Sequence, residues 1–255
     1  MIYYFTRFFL IIFMFTLSLR AQYVAAPTIL INTPTVATLD RGAYITDARF
    51  TTNGGVLSGF QVGFTDRILI GLSYGGSQII GNKEIHWNPD PGVMLKYHMV
   101  DETRVLPGMA AGFSTQGYGE FRTGHYEISP QGFYLVASKN WMFIGNTSLH
   151  AGVNYSLDQP GDTKIPSIFF GAAFELNPQF SLMLEYDAAL NYENAADSLD
   201  FRISDGYGFL NAGIRVGITE HMFVELDFNN LIWNDKNENI ESFNRELKII
   251  FFDNF

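Results

Sequence analysis

Cysteine is absent from the chain, which removes at once a disulfide framework, a thiolate metal site, a cysteine nucleophile and the lipidated cysteine of a lipoprotein. Charge is scarce as well. Asp, Glu, Lys and Arg make up 16% of residues, against about a quarter in an ordinary soluble protein. Basic side chains are the scarcest, 16 against 26 acidic ones for a net charge of −10, so the basic face that nucleic acid demands is missing and no nucleic-acid partner is predicted. Beyond the N-terminal segment no stretch approaches the ~18 consecutive apolar residues of a membrane-crossing helix. Chemical signatures are missing too. His86, His98, His125, His150 and His221 have no HExxH or close ligand spacing, and there is no G-x-S-x-G elbow and no phosphate loop. The sequence therefore predicts no metal, no cofactor and no enzyme. Ser148 and His150 stand two apart, a spacing that in a strand is ordinary polarity more often than part of an acyl-transfer site.

What is abundant is aromatic and small. The chain has 24 Phe, 13 Tyr and 24 Gly, a mixture suited to strands, aromatic girdles and tight turns. Arg7 precedes an apolar run from Phe8 to Phe15, continued to Leu19, and then comes Ala21. These are the n-region, h-region and small-residue site of a signal peptide, with cleavage expected between Ala21 and Gln22. Residues 1–21 are thus assigned to export, residues 22–42 to a periplasmic lead-in, and residues 43–255 to the folded unit.

That unit alternates with period two, the repeat of a half-buried strand. Phe180, Leu182, Leu184, Tyr186, Ala188, Leu190 and Tyr192 make one face, and Ser181, Met183, Glu185, Asp187, Ala189 and Asn191 the other. Phe143 to Tyr155 and Leu210 to Ile218 repeat the pattern, and weaker runs lie at Ile68–Tyr74, Val93–Met99, Val105–Phe113, Ile168–Leu176 and Met222–Phe228. Tyr44–Phe50, Phe60–Phe64, Phe133–Ala137 and Leu247–Phe251 bring the set to about twelve, the even count of an outer-membrane barrel. Short links at Thr65–Arg67, Asp101–Thr103, Lys139–Asn140, Asn177–Gln179 and Thr219–His221 alternate with longer polar segments, Gly75–Pro91, Gly117–Ser129, Leu157–Pro166, Glu193–Gly206 and Asn234–Ser242. Outer-membrane barrels alternate periplasmic turns and extracellular loops in this way. A soluble barrel would carry Lys and Glu on its polar face; here that face is mostly Gly, Ser, Asn and Ala, which suits a lumen. The predicted fold is all-β, a transmembrane antiparallel barrel of about twelve strands embedded in outer-membrane lipid.

Asn32-Thr33-Pro34-Thr35-Val36-Ala37 with Gly42 resembles the "PTA…G" opening of the YjbH-like outer-membrane proteins. Gly63-Phe64-Thr65-Asp66-Arg67-Ile68-Leu69-Ile70-Gly71 is similar to their "G-T-D-R-hydrophobic-G" hairpin, and Val93-Met94-Leu95-Lys96-Tyr97 to their "LKY" strand. The likeness covers mainly Asn32 to Gly119 and implies a barrel associated with exopolysaccharide production; larger members carry further domains that this sequence lacks. The last strand, with Phe251 and the terminal Phe255, resembles the signal read by the barrel-assembly machinery, the second expected partner. Asp253 stands where that signal usually has an aromatic residue.

Ionic residues on the inner faces are the remaining candidates. Glu175, Glu185, Asp187, Glu225 and Asp227 fall inward on neighbouring strands, and Arg215 lies among them. A buried charge needs a partner, so Arg215 is expected to pair with Glu225 or Glu185. The network either braces the wall or favours cations in a channel. Inward Gly59, Gly63, Gly71, Gly108, Gly112, Gly152, Gly171 and Gly213 leave space, while Met94, Phe169, Met183, Phe209 and Phe223 take some of it. Three roles follow: a passive or transport-linked channel, a part of envelope polysaccharide export, or a structural or assembly barrel with a filled lumen.

Overall fold

The computed structural model describes residues 26–122, 124–143, 145–158, 165–190, 208–232 and 244–255. The expected signal peptide and cleavage site lie outside these residues, as do the loop expected at Glu193–Gly206 and that at Asn234–Ser242.

Twelve strands form one antiparallel ring. They are β1 (Ala43–Phe50), β2 (Val56–Thr65), β3 (Ile68–Ser77), β5 (Gly92–Val100), β6 (Gly108–Ser114), β9 (Gly132–Phe143), β10 (Gly145–Tyr155), β11 (Ser167–Asn177), β12 (Phe180–Asp187), β13 (Phe209–Gly217), β14 (Met222–Asn229) and β15 (Asn244–Asn254). Each pairs with its neighbour in sequence around the wall, and β1 closes the circle by pairing with β15 from Ala43↔Asn254 to Phe50↔Leu247. Closure leaves no ladder of unpaired backbone groups, the condition for a sheet to stand in lipid. Outside the ring, two-residue β4 (His86–Trp87) adds to β3, and β7 (Tyr118–Arg122) pairs with β8 (His125–Ile128) in the long β6–β9 connection.

The alternation decides which way each side chain points. Leu72, Leu95, Phe133, Leu149, Phe170, Leu184 and Ile249 stand on the outer surface, and their exposure, 39–56%, has its physical reason in a lipid surround. Aromatic rings gather toward both rims. At the end carrying the chain's C-terminus, Tyr44 lies 4.8 Å from the Phe255 ring; toward the other, Tyr74 stacks on Trp87 at 5.9 Å and Phe113 meets Phe133 at 4.6 Å.

Several sequence expectations are corrected. The β9–β10 turn does not fall at Lys139–Asn140: β9 runs on to Phe143, which faces Gly145 across the hairpin. Asn140 is held there by Glu102 of the adjacent turn, and Lys139 pairs with the same carboxylate at 3.0 Å. Val105 belongs to that turn rather than to a strand, since β6 begins at Gly108. The run from Phe180 stops being a strand after Asp187, where Ala189 takes a positive φ of 46°; Tyr192 lies outside the described residues. The largest correction concerns the lead-in assigned to residues 22–42. Its described part does not hang in the periplasm but enters the barrel, and Leu30, Ile31, Thr33 and Thr35 are almost wholly buried.

Candidate functional site: the occupied lumen

The site is the lumen together with the segment inside it. Residues 28–35 fold back on themselves: Thr35 N–H donates to the Thr28 carbonyl at 3.1 Å, Leu30 N–H to the Thr33 carbonyl at 2.9 Å, and Ile29 bridges to Pro34. The outgoing limb then descends through Val36 and Leu39 to Gly42, whose N–H donates to the Gly63 carbonyl at 2.9 Å before β1 begins. This inner hairpin enters from the end of the barrel that carries the short turns, and its tip reaches the far third of the wall.

Much of the space that the inward glycines vacate is taken by this hairpin or by neighbouring side chains. Leu30 lies over Gly171, Val36 over Gly108, and the carbonyls of Leu39 and Asp40 over Gly63, so that a Cβ at Gly63 would meet backbone. Tyr134 covers Gly112 and Phe169 covers Gly152. Leu30 and Ile31 also pack with Ala173 and Met183, and Val36 with Ala110, Tyr134, Val136 and Phe169.

The tip is held by charge. Glu185 Oε2 accepts the successive backbone N–H groups of Ile31, Asn32 and Thr33 at 3.1, 2.9 and 2.8 Å, and the Thr33 hydroxyl at 2.8 Å. Asn211 satisfies its Oε1 at 2.9 Å. Consecutive N–H groups converging on one anion form a nest, and the carboxylate makes each bond charge-assisted. Cations hold the hairpin's carbonyls in turn. Lys96, with no measurable exposure, donates to the Thr28 and Ala37 carbonyls at 2.6 and 3.0 Å. Lys248 donates to the Ile31 carbonyl at 2.9 Å, and Arg49 reaches the same carbonyl at 2.8 Å and Asn32 Oδ1 at 2.7 Å. Gln61, His98 and Ser138 add bonds to Thr28 and Val36, and Ser138 also meets His150 Nδ1 at 2.6 Å. It is thus Ser138, across the β9–β10 ladder, and not Ser148, that partners His150.

The six charges singled out in the sequence do not form one network. Arg215 pairs with Glu225 at 2.6 Å and not with Glu185. Lys248 joins that pair, 2.7 Å from Glu225 and 2.6 Å from Asp227. Glu185 belongs to the hairpin tip. Asp187 stands nearer the outer rim, where Ala189 N–H donates to it at 2.9 Å, and Glu175 lies at the opposite end, accepting from Asn146 at 2.9 Å. Lys96, Arg49, Lys248 and Gln61 were missed. Lys96 sits in an inward register with Met94, and Lys248 faces Glu225 directly in the β14–β15 ladder, so the alternation alone could have found both.

At the outer mouth Tyr118 of the β7–β8 hairpin folds over Arg49, whose guanidinium lies 4.1 Å from the ring centre and 3.1 Å from Glu246. Burial pushes the Tyr118 phenol up, with Arg49 opposing it. Phe251 lies on the lipid side of the closing strand, and the N–H of Phe255 donates to the Gly42 carbonyl at 3.0 Å, which puts both assembly-signal candidates at the β1–β15 seam.

No protein-family model matches the sequence, and no curated protein matches it. In shape the chain is similar to the KdgM porin (9% identity, 82% of this chain and 98% of that one, TM-score 0.47). It is also similar to the NanC porin (11% identity, 82% and 99%, TM-score 0.45). A third similar structure is the outer membrane protein Omp33 of Acinetobacter baumannii (9% identity, 85% and 99%, TM-score 0.45). The architecture itself assigns the compartment. A closed antiparallel ring of twelve strands, apolar outside and polar within, is an outer-membrane β-barrel.

Proposed function

We propose that this is an occluded outer-membrane barrel whose resident N-terminal hairpin acts as a plug, so that the resting protein is not an open diffusion pore. The observation that carries this reading is the Glu185 nest. A carboxylate in a lumen of limited water gains from three backbone N–H groups, and breaking one side of such an arrangement leaves the other buried and unpaired. Of the roles considered from the sequence, the filled-lumen barrel fits best, and any larger conduit requires the hairpin to leave. The "PTA…G" residues are the plug's tip and outgoing limb, so a part in envelope polysaccharide assembly, as the resemblance implies, is on this reading that of a scaffold or a gated partner.

Electrical recording from refolded protein in planar bilayers tests the plug. The wild type should give small currents that exclude sugar-sized polymers, whereas Glu185→Ala, or replacement of residues 28–35 by a Gly/Ser linker, should produce larger openings that admit them. Steady, polymer-permeable openings in the wild type would show that the hairpin does not close the barrel.

A further inference from the structure

The β7–β8 hairpin stands outside the ring and lies across its outer mouth. On one side Tyr118 covers Arg49 of β1, the Ser73 hydroxyl of β3 donates to Gln116 Oε1 at 2.8 Å, and Glu120 meets His86 of β4 at 3.4 Å. On the other side His125 Nδ1 lies 2.8 Å from Asp158, in the connection that follows β10. Strands β1 and β10 stand half-way round the ring from one another, so these contacts make the hairpin a lid. Its two strands pair only with each other, Phe121 and Tyr126 pack edge to face at 5.0 Å, and Gly132, with a φ of 60°, turns the chain from the lid into β9. Lifting the lid therefore breaks no ladder of the barrel.

Lid and plug meet on one side chain. Arg49 Nη2 donates to the Ile31 carbonyl at 2.8 Å and Nη1 to Asn32 Oδ1 at 2.7 Å, with Glu246 3.1 Å away. A guanidinium donates in its plane and stacks on its face, so the Tyr118 ring, 4.1 Å from Cζ, adds to these bonds instead of competing with them. The ring also keeps water from that face. Arg49 is only 5% exposed, and in an enclosed site of this kind a hydrogen bond is electrostatically stronger than in water. With the ring lifted, water reaches the guanidinium, and the exchange of partners reduces the net gain of its bonds to the plug. Glu185, Lys96 and Lys248 hold the plug from the wall; Arg49 holds it and carries a ring of the lid as well.

We propose that the β7–β8 hairpin is a latch on the plug, so that the plug is released from the extracellular side: displacing Tyr118 from Arg49 loosens the tip, and a seated lid holds it. This rests on the plugged reading of the barrel, because without a resident hairpin Arg49 has nothing to pass on. The coupling is reciprocal, as any linkage between two binding equilibria is. A plug that has left gives the lid a weaker seat.

The chain has no cysteine, so Pro34→Cys places a single thiol in the buried tip. Its reaction with a membrane-impermeant maleimide is followed on the refolded full-length chain, with folding of each variant checked by its heat-modifiable band and the urea-unfolded chain setting the fastest rate. With the lid intact the thiol should react slowly. Tyr118→Ala should speed it roughly 2- to 30-fold, the range that loss of one cation–π contact spans, and Tyr118→Phe, which keeps a ring over the guanidinium, should restore the slow rate. Arg49→Gln with Glu246→Gln, which removes both charges together, should also speed labelling and leave Tyr118→Ala little further to add. Unchanged labelling in Tyr118→Ala overturns the latch and leaves the plug standing. An equal acceleration with and without Arg49 overturns it too, since the lid would then only shield the mouth. A thiol that reacts at the unfolded rate under an intact lid overturns the plug itself, a distinguishable result.

Discussion

Strand β12 carries two adjacent surfaces with opposite demands. Outward, Leu182 and Leu184 stand 36% and 45% exposed, and any aliphatic side chain of similar size would serve a fluid lipid surround. Inward, Met183 packs on Leu30 and Ile31, and Glu185 receives the hairpin tip. A residue on the first surface answers to a solvent; one on the second answers to particular atoms far away in sequence. The outer wall is therefore a matter of composition, and the inner wall one of pairing.

The sharpest way to break that contrast is a charge on each surface. At the membrane midplane Arg costs about 2–4 kcal/mol on a lipid face, so Leu184→Arg should reduce barrel assembly in liposome refolding. Met183→Arg meets the hairpin and not water, and its expected effect is different in kind: the barrel assembles but the hairpin is displaced, giving polymer-permeable openings. Equal assembly defects in both variants would erase the distinction.

A smaller effect is expected at Arg215, because Glu225 keeps Lys248 when Arg215 is removed. Breaking a buried pair outright costs about 3–5 kcal/mol; with a second cation in place, Arg215→Ala should cost less. A double-mutant cycle on the heat-modifiable band should find coupling of about 0.5–3 kcal/mol between Arg215 and Glu225 and none between Arg215 and Glu185. Coupling to Glu185 would mean that the two clusters act as one.

The smallest effect belongs to the rim. The hydrogen bond from Arg67, with further help from its charge and from His98, holds the Asp101 carboxyl below the usual carboxylate range. A depressed value means stabilisation that is complete above the unfolded carboxyl's pKa, about 3.9, and is lost as pH falls through the lower folded one. Asp101→Asn should leave thermal unfolding near neutrality almost unchanged, and its difference from wild type should vanish in acid. A difference that grew on acidification would reverse the sign.

The same contrast explains what could be read from the chain. Twelve strands were legible because lipid imposes one rule on every outward residue from Phe60 to Phe251. The Arg215–Glu225 pair was legible because the two face each other in the β13–β14 register. The hairpin was not. Pro27, Thr28, Thr33, Pro34 and Thr35 have no alternation and read as a linker, since their conformation is imposed by Glu185, Lys96 and Lys248, which local pattern cannot see. Lys96 itself was visible within a strand motif, but its two carbonyl partners belong to the hairpin.

The bond from Lys248 to the Ile31 carbonyl joins residues 217 apart in the chain. Lys248 stands on the strand that closes the ring, so the plug's full set of contacts cannot exist until β15 has met β1. Contacts of such sequence separation form late, after the loop-closure entropy has been met by the strands between them. Glu185 and Lys96, away from that seam, can hold the segment earlier, so closing the ring completes the seal on the lumen rather than starting it.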